Sequence, residues 1–317
     1  MKKIRQQDSV PSWTAIVNPN AGTRKVARDW PRISEALKKA KVRHVAIFTE
    51  QRGDAITMVQ QQIALGVRHF IAVGGDGTLN ETVNGIFMQQ KVPQNLITLA
   101  LIPVGTGNDW RRTIGIPLGY NEAALAIARG HTFKQDVGRI DYTNTHGQNA
   151  SRYFANVAGI GYDALVASEV NRKKDKGAHG PLTYLTSLIN SLMKFKTAKT
   201  TVQIDGETIS ANVFSLSIGI GKFNGGGMKQ LPDAIPDDGL FDLTLVRKIS
   251  RWQVVTQIKN LYDGSFTRHK AVSCFRSKSV AVDASPAMMI EADGESVGKT
   301  PVAVQILPQS LRVITSN

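Results

Sequence analysis

A chain of 317 residues exceeds what one compact core usually carries, and its 42% apolar content is ample to fill two. Lysine and arginine number 39 against 25 aspartates and glutamates, an excess of 14 positive charges that draws polyanions such as nucleotide phosphates and anionic headgroups. No run of about twenty apolar residues occurs, which excludes a spanning helix, and the polar start Met1-Lys2-Lys3-Ile4-Arg5 lacks the apolar core of a signal peptide, so a cytoplasmic location is expected.

Residues 13–18 read as a strand, and Asn18-Pro19-Asn20-Ala21-Gly22 as the turn that ends it. Val26, Ile33 and Leu37 place an amphipathic helix over residues 25–39, with Pro31 as a start or a kink. Residues 44–48 form a second strand, and residues 54–65 a second helix with Ile56, Val59 and Ile63 on one stripe. A third strand over residues 69–73 runs through glycines into a helix ending near Met88, and a fourth strand spans residues 96–102. This alternation predicts a mostly parallel sheet with helices on both faces. From about Gln135 onward, short β-rich runs separated by Asp-Gly turns predict a mainly antiparallel β domain. Helices over residues 182–194 and 252–262 interrupt it. The run Arg172-Lys173-Lys174-Asp175-Lys176 reads as a solvated loop, and the single cysteine, Cys274, as a half-buried apolar residue in a strand. The expected division is an α/β unit over residues 1–135, a β-rich unit over 136–300, and a strand-like tail over 301–317 that returns to pair with either.

The strongest chemical signal is Gly74-Gly75-Asp76-Gly77-Thr78-Leu79-Asn80, a buried strand that passes through glycines and opens a helix. Small residues let backbone N–H groups approach a phosphate, and the helix N-terminus adds partial positive charge. Thr78 suits a cap or a phosphate contact, and Asp76 suits an acceptor for metal-bound water. A plain strand-to-helix turn explains glycines too, but three of them around an aspartate favour phosphate. The pattern is neither a Walker A loop nor the dinucleotide fingerprint. A second loop, Gly105-Thr106-Gly107-Asn108-Asp109, follows the next strand and delivers Thr106, Asn108 and Asp109 to the same sheet edge.

The two loops together resemble the diacylglycerol kinase catalytic-domain family, which includes bacterial lipid kinases and the sphingosine and ceramide kinases. Further landmarks carry the resemblance along nearly the whole chain: Asn18 to Gly22, Phe154 to Gly161, Gly225-Gly226-Gly227, Pro232 to Leu240, and Asp293-Gly294-Glu295. Ile220-Gly221 departs from the Asn-Gly of many relatives at a position expected to line the cleft. The resemblance implies an N-terminal α/β domain with an NAD kinase-like parallel sheet and a C-terminal β-sandwich domain. It implies ATP held by Asn18, Thr49, Gly74 to Asn80, Thr106 and Asn108, with Asp76 and Asp109 around a catalytic Mg²⁺ and Glu295 as general base. It also implies a second, structural Mg²⁺ or Ca²⁺ at the Ile235 carbonyl, Asp238 and the Leu240 carbonyl. Read without the family, Asp293-Gly294 is a hairpin turn.

The expected activity is ATP-dependent phosphorylation of a hydroxyl on diacylglycerol or a similar lipid. The alternatives are an NAD kinase-like small-molecule kinase and a nucleotide- or lipid-binding module without catalysis. The expected partners are the lipid and an anionic membrane surface on the cytoplasmic side, with no nucleic acid; a homodimer is compatible with the sequence. Leu185, Leu188, Ile189 and Leu192 are either a bilayer-facing stripe or ordinary core, with Lys173, Lys174, Lys194 and Lys196 flanking it.

Overall fold

A computed structural model describes residues 12–105, 107–144, 147–175 and 181–316. Strand β1 (Trp13–Val17) is buried along its whole length, as a strand covered on both faces must be. Helix α1 (Ala21–Lys39) follows, but Gly22, Thr23 and Arg24 have left-handed backbone, so its regular part begins where Val26 starts the apolar stripe. Pro31 lies inside α1 without interrupting it. Next come β2 (His44–Phe48), α2 (Asp54–Ala64), β3 (His69–Gly74), α3 (Asp76–Met88) and β4 (Thr98–Pro103). The strands pair in parallel in the order β2-β1-β3-β4.

Two short helices unforeseen in the sequence come next, α4 (Asp109–Ile114) and α5 (Tyr120–Arg129). Then β5 (Thr132–Thr143), β6 (Asn149–Phe154) and β7 (Val157–Gly161) lead into α6 (Tyr162–Asp175) and α7 (Pro181–Lys194). Residues 172–175 therefore close a helix rather than form a loop; the buried Tyr162, Val166 and Val170, four apart, are what hold α6 down. Leu188 and Leu192 of α7 are buried while Ile189 is exposed, so core packing claims that stripe; the side chain of Leu185 lies outside the described residues.

Strands β8 (Ala198–Ile204), β9 (Glu207–Gly219) and β10 (Phe241–Arg247) precede α8 (Arg251–Asp263). Strands β11 (Val272–Ser277), β12 (Ser279–Ser285), β13 (Met289–Ala292), β14 (Glu295–Lys299) and β15 (Val302–Ile314) complete the chain. Cys274 sits in a strand as expected, but it is exposed, because β11 pairs only with β10 and lies at an edge. The sandwich-like part runs β14-β13-β7-β9-β8-β12-β15 with antiparallel pairing throughout. Strand β15 pairs antiparallel with β12 and β5 and parallel with β4, so it joins the two sheets.

Candidate active site

Asn18, Thr49 and Gly105 lie just beyond the C-terminal ends of parallel strands β1, β2 and β4, and Gly74 is the last residue of β3, all at the edge at which open α/β sheets bind ligands. At the end of β3 the chain turns directly into α3. Gly75 precedes the helix in extended conformation, and no side chain caps its first turn. Any side chain on Gly74 would collide with Thr78, so glycine is what permits the close turn. Asn18 Nδ2 donates to Thr78 Oγ1 at 3.2 Å and ties the first turn to this one.

The second loop meets the first through Asp76. Its carboxylate accepts the backbone N–H groups of Asp109 at 3.2 Å and Trp110 at 3.4 Å. Asp109 is buried; its Oδ2 accepts the Gly226 N–H at 2.7 Å, which brings the triple-glycine segment to the same place. Its Oδ1 is buried with no hydrogen-bond partner and lies 3.5 Å from Arg112 Nε. Burial, then the charge of Asp76, pushes the Asp109 carboxyl up to about 6. Asn108 Oδ1 is another buried acceptor without a partner. Two neighbouring carboxylates, with buried acceptors left over on Asp109 and Asn108, fit a divalent cation held by oxygen. Thr106 lies outside the described residues.

Glu295 comes from the other half of the molecule. Asp293 and Gly294 both have positive φ, the two-residue turn that joins β13 to β14. The hairpin that the residues alone predict is present, and the turn is anchored by its own aspartate. Asp293 Oδ2 accepts Asn80 Nδ2 and the Ala155 N–H, each at 3.0 Å; Oδ1 accepts the N–H groups of Asn156 and Val157 at 3.0 and 3.1 Å. Burial pushes Asp293 up to about 6 against these four donors, which favour the carboxylate. The anchoring sets Glu295 against the start of α3: a Cβ on Gly77 would stand 3.3 Å from Glu295 Oε1.

Of the residues expected to hold nucleotide, Leu79 packs its side chain in the core beside Val83 and Ile86, and Asn80 is wholly buried. The Asn80 amide spends its hydrogen bonds on Tyr153, Asn84, Arg152 and Asp293, so it is a strut between the halves. Ile220 does not line the cleft; it is buried in the sandwich core. At the loop of Ile235, Asp238 and Leu240, Asp238 Oδ1 accepts the Leu240 N–H at 3.0 Å, and Oδ2 pairs with the Arg276 guanidinium. A guanidinium already neutralises that carboxylate, so these residues as arranged do not fit a structural cation. Among the described residues no group of three or more His, Cys, Asp or Glu side chains forms a metal cluster.

Sequence reading missed Arg52. It sits in the turn between β2 and α2 and forms an ion pair with Glu295 Oε2, although the two are far apart in the chain. Glu81 fixes that turn by accepting the Gly53 and Ala55 N–H groups at 2.8 and 3.3 Å. An arginine from an unremarkable turn thus stands with Glu295 beside the start of α3. No local signal pointed to it.

Fold and site together define a protein of NAD kinase-like α/β architecture, with a β-sandwich unit that brings a carboxylate to the start of α3. The profile described as the diacylglycerol kinase catalytic domain matches residues 12–140. That described as the YegS C-terminal NAD kinase beta sandwich-like domain matches residues 156–315. The chain is 32% identical over 302 residues to a diacylglycerol kinase of Staphylococcus saprophyticus, covering 95% of this chain and 94% of that one. A solved structure of a candidate diacylglycerol kinase from Bacillus anthracis superimposes with a TM-score of 0.75 at 25% identity, covering 96% of this chain and 97% of that one. Yeast NADH kinase shares the fold more distantly, with a TM-score of 0.52 at 11% identity over 98% of this chain and 85% of that one. The chain belongs to the diacylglycerol kinase catalytic-domain family and is a kinase of that family, whose members in general use ATP and a divalent metal.

Proposed function

We propose that the protein transfers the γ-phosphoryl group of ATP to a hydroxyl of diacylglycerol or a similar lipid. The observation that carries this reading is the position of Glu295 against Gly77, at the helix end where phosphates would bind. Glu295 takes the proton from the lipid hydroxyl. The hydroxyl oxygen then forms a bond to the γ-phosphorus, the bond from that phosphorus to the β,γ-bridging oxygen breaks, and ADP leaves with the electron pair. Asp76 and Asp109 would hold a divalent cation, through water, that offsets charge on the phosphates. Arg52 sits where its guanidinium adds to that electrostatic work once it exchanges Glu295 for phosphate oxygen.

Support for a lipid acceptor comes from the β-rich half. A mainly apolar cavity of about 80 Å³ lies between α6, α7, α8 and the sheet, lined among others by Val166, Leu188, Phe214, Val254 and Ile258. Polar groups meet at its inner wall: Ser217 Oγ lies 3.0 Å from Asp163 Oδ2 and 3.2 Å from Gln230 Oε1. Asn224, just before the triple glycine, donates to the same Gln230 oxygen at 3.2 Å, so the cavity backs onto the loop that contacts Asp109. As it stands the cavity has room for only a few methylene groups, and it is its apolar lining that suits the end of an acyl chain better than a charged dinucleotide.

The test is a kinase assay with ATP and Mg²⁺ that offers diacylglycerol and NAD side by side. Diacylglycerol is expected to be phosphorylated, and exclusive use of NAD would reverse the reading. Glu295→Gln should lower kcat by about 100-fold or more and leave ATP affinity within about threefold. Unchanged turnover in that variant removes Glu295 from the chemistry.

A further inference from the structure

Helix α8 carries two apolar stripes, and one of them covers nothing. Val254 and Ile258 pack against the cluster of Tyr162, Val166, Leu188 and Leu192, and Leu261 lines the cavity below. The stripe beside it is Trp252, Val255 and Tyr262, exposed at 81%, 45% and 53%. Their spacing of three and ten residues puts them on one side of the helix. No residue of α8 is classed as buried. The end of α7 lies next to the start of α8, where Arg251 donates to the Met193 carbonyl at 2.9 Å, and Ile189 and Met193 are exposed there at 46% and 61%. Single exposed apolar residues are ordinary, but a contiguous aromatic and aliphatic strip is not.

We propose that this face of α8 and the end of α7 docks the protein on an anionic bilayer. The charges around the strip choose the occupant. Lys194, Lys196, Lys248, Arg251 and Lys259 are all exposed around it. The acidic residues nearby are Asp263, at the far end of α8, and Glu169, which is held by Arg172 and Lys194. An apolar strip with Trp and Tyr, rimmed by lysine and arginine, matches the interfacial zone of a bilayer. A second copy of this chain would bring the same positive rim against itself. The proposal rests on the lipid-kinase reading only for its purpose: docking here would put the residues that roof the apolar cavity at the membrane surface.

The strip contains its own probe. Trp13 and Trp110 are buried, and Trp30 is half-buried against the rings of His44 and Phe48, so Trp252 is the tryptophan that a bilayer would reach. The full-length protein is mixed with phosphatidylcholine vesicles with or without phosphatidylglycerol, using brominated acyl chains as quencher. Salt-sensitive binding to the anionic vesicles and quenching of fluorescence are expected. Trp252→Phe should keep binding and lose most of the quenching. The triple variant Trp252→Ser, Val255→Ser, Tyr262→Ser should lose vesicle affinity by about tenfold or more, with its thermal midpoint and its activity on detergent-solubilised diacylglycerol unchanged. Lys196→Glu with Lys259→Glu should weaken binding to anionic vesicles specifically. Parent-like binding by the triple variant, or quenching that persists in Trp252→Phe, overturns the proposal. So does a parent dimer that the triple variant converts to monomer without loss of vesicle binding. Absent activity on solubilised diacylglycerol with intact docking would instead count against the kinase reading alone.

Discussion

Burial pushes the Glu291 carboxyl up to about 8, with the charges of Asp163 and Asp293 adding to the effect. The group is at the back of the site, where its Oε2 accepts the Gly294 N–H at 2.7 Å and so steadies the turn that presents Glu295. Unfolded, Glu291 releases its proton near 4.5; folded, it holds it to about 8. The folded state therefore binds the extra proton, and the stability from this group is fully present below about 4.5 and is lost as pH rises towards 8. Asp163, pushed up to about 6 by burial, acts with the same sign over a lower window. Glu291→Gln keeps an acceptor for Gly294 and removes the titration. The loss of stability between about pH 5 and about pH 8, measured by urea midpoints, should be smaller in the variant by on the order of a few kcal/mol. Equal losses in parent and variant would mean that Glu291 is ionised in the folded protein. None of this was legible in the sequence: Glu291 is an unremarkable residue of a short strand until β7 and α6 cover it.

At the scale of elements, much more was legible. Strands β1, β2 and β3 and helices α2 and α3 fall within a residue or two of where hydrophobic periodicity put them, and all but the half-exposed edge strand β2 bury one continuous stripe or run. The β-rich stretch through residues 152–157 is divided between β6 and β7, and Asp293 captures the N–H groups of Ala155, Asn156 and Val157 at the break, a tertiary event with no local sign. The loops that carry Asp76 and Asp109 were readable because their chemistry is local, whereas Arg52 and the Asp293 anchor depend on contacts between distant segments. One glycine is a packing device rather than a site residue. A Cβ on Gly85 of α3 would stand 2.7 Å from Val59 Cβ and 2.8 Å from the Ile56 carbonyl of α2, so the two helices touch nearly backbone to backbone there. Gly85→Ala should destabilise by about 1–3 kcal/mol in a denaturant titration, while Gly66→Ala, which meets nothing in the fold, acts only through its left-handed backbone. A Gly85→Ala protein as stable as the parent would show that α2 is free to shift.

For the molecule as a whole, β5 and β15 matter most. They pair antiparallel from Val302 with Tyr142 to Ile314 with Thr132. Along that length Ile140, Val302 and Val304 enter the core of the β-rich half, whereas Val137, Leu311 and Val313 enter that of the α/β half. Both cores therefore share the same two strands. Unfolding in urea should follow one transition, with coincident curves from Trp110 fluorescence and far-ultraviolet circular dichroism; Trp110 is buried in the α/β core. Two separated transitions would show that the halves melt independently.

The same long strand sets an order of events at the ribosome. Leu311 and Val313 are wholly buried in the α/β core, and β15 is the strand that continues that sheet past β4. The first half of the chain to be synthesised therefore emerges with an open sheet edge at β4. It keeps that edge while the β-rich half is made, until residues 302–314 arrive to cover it. A nascent chain of this design presents an unpaired strand for most of its translation, a window in which pairing with another chain competes with its own completion.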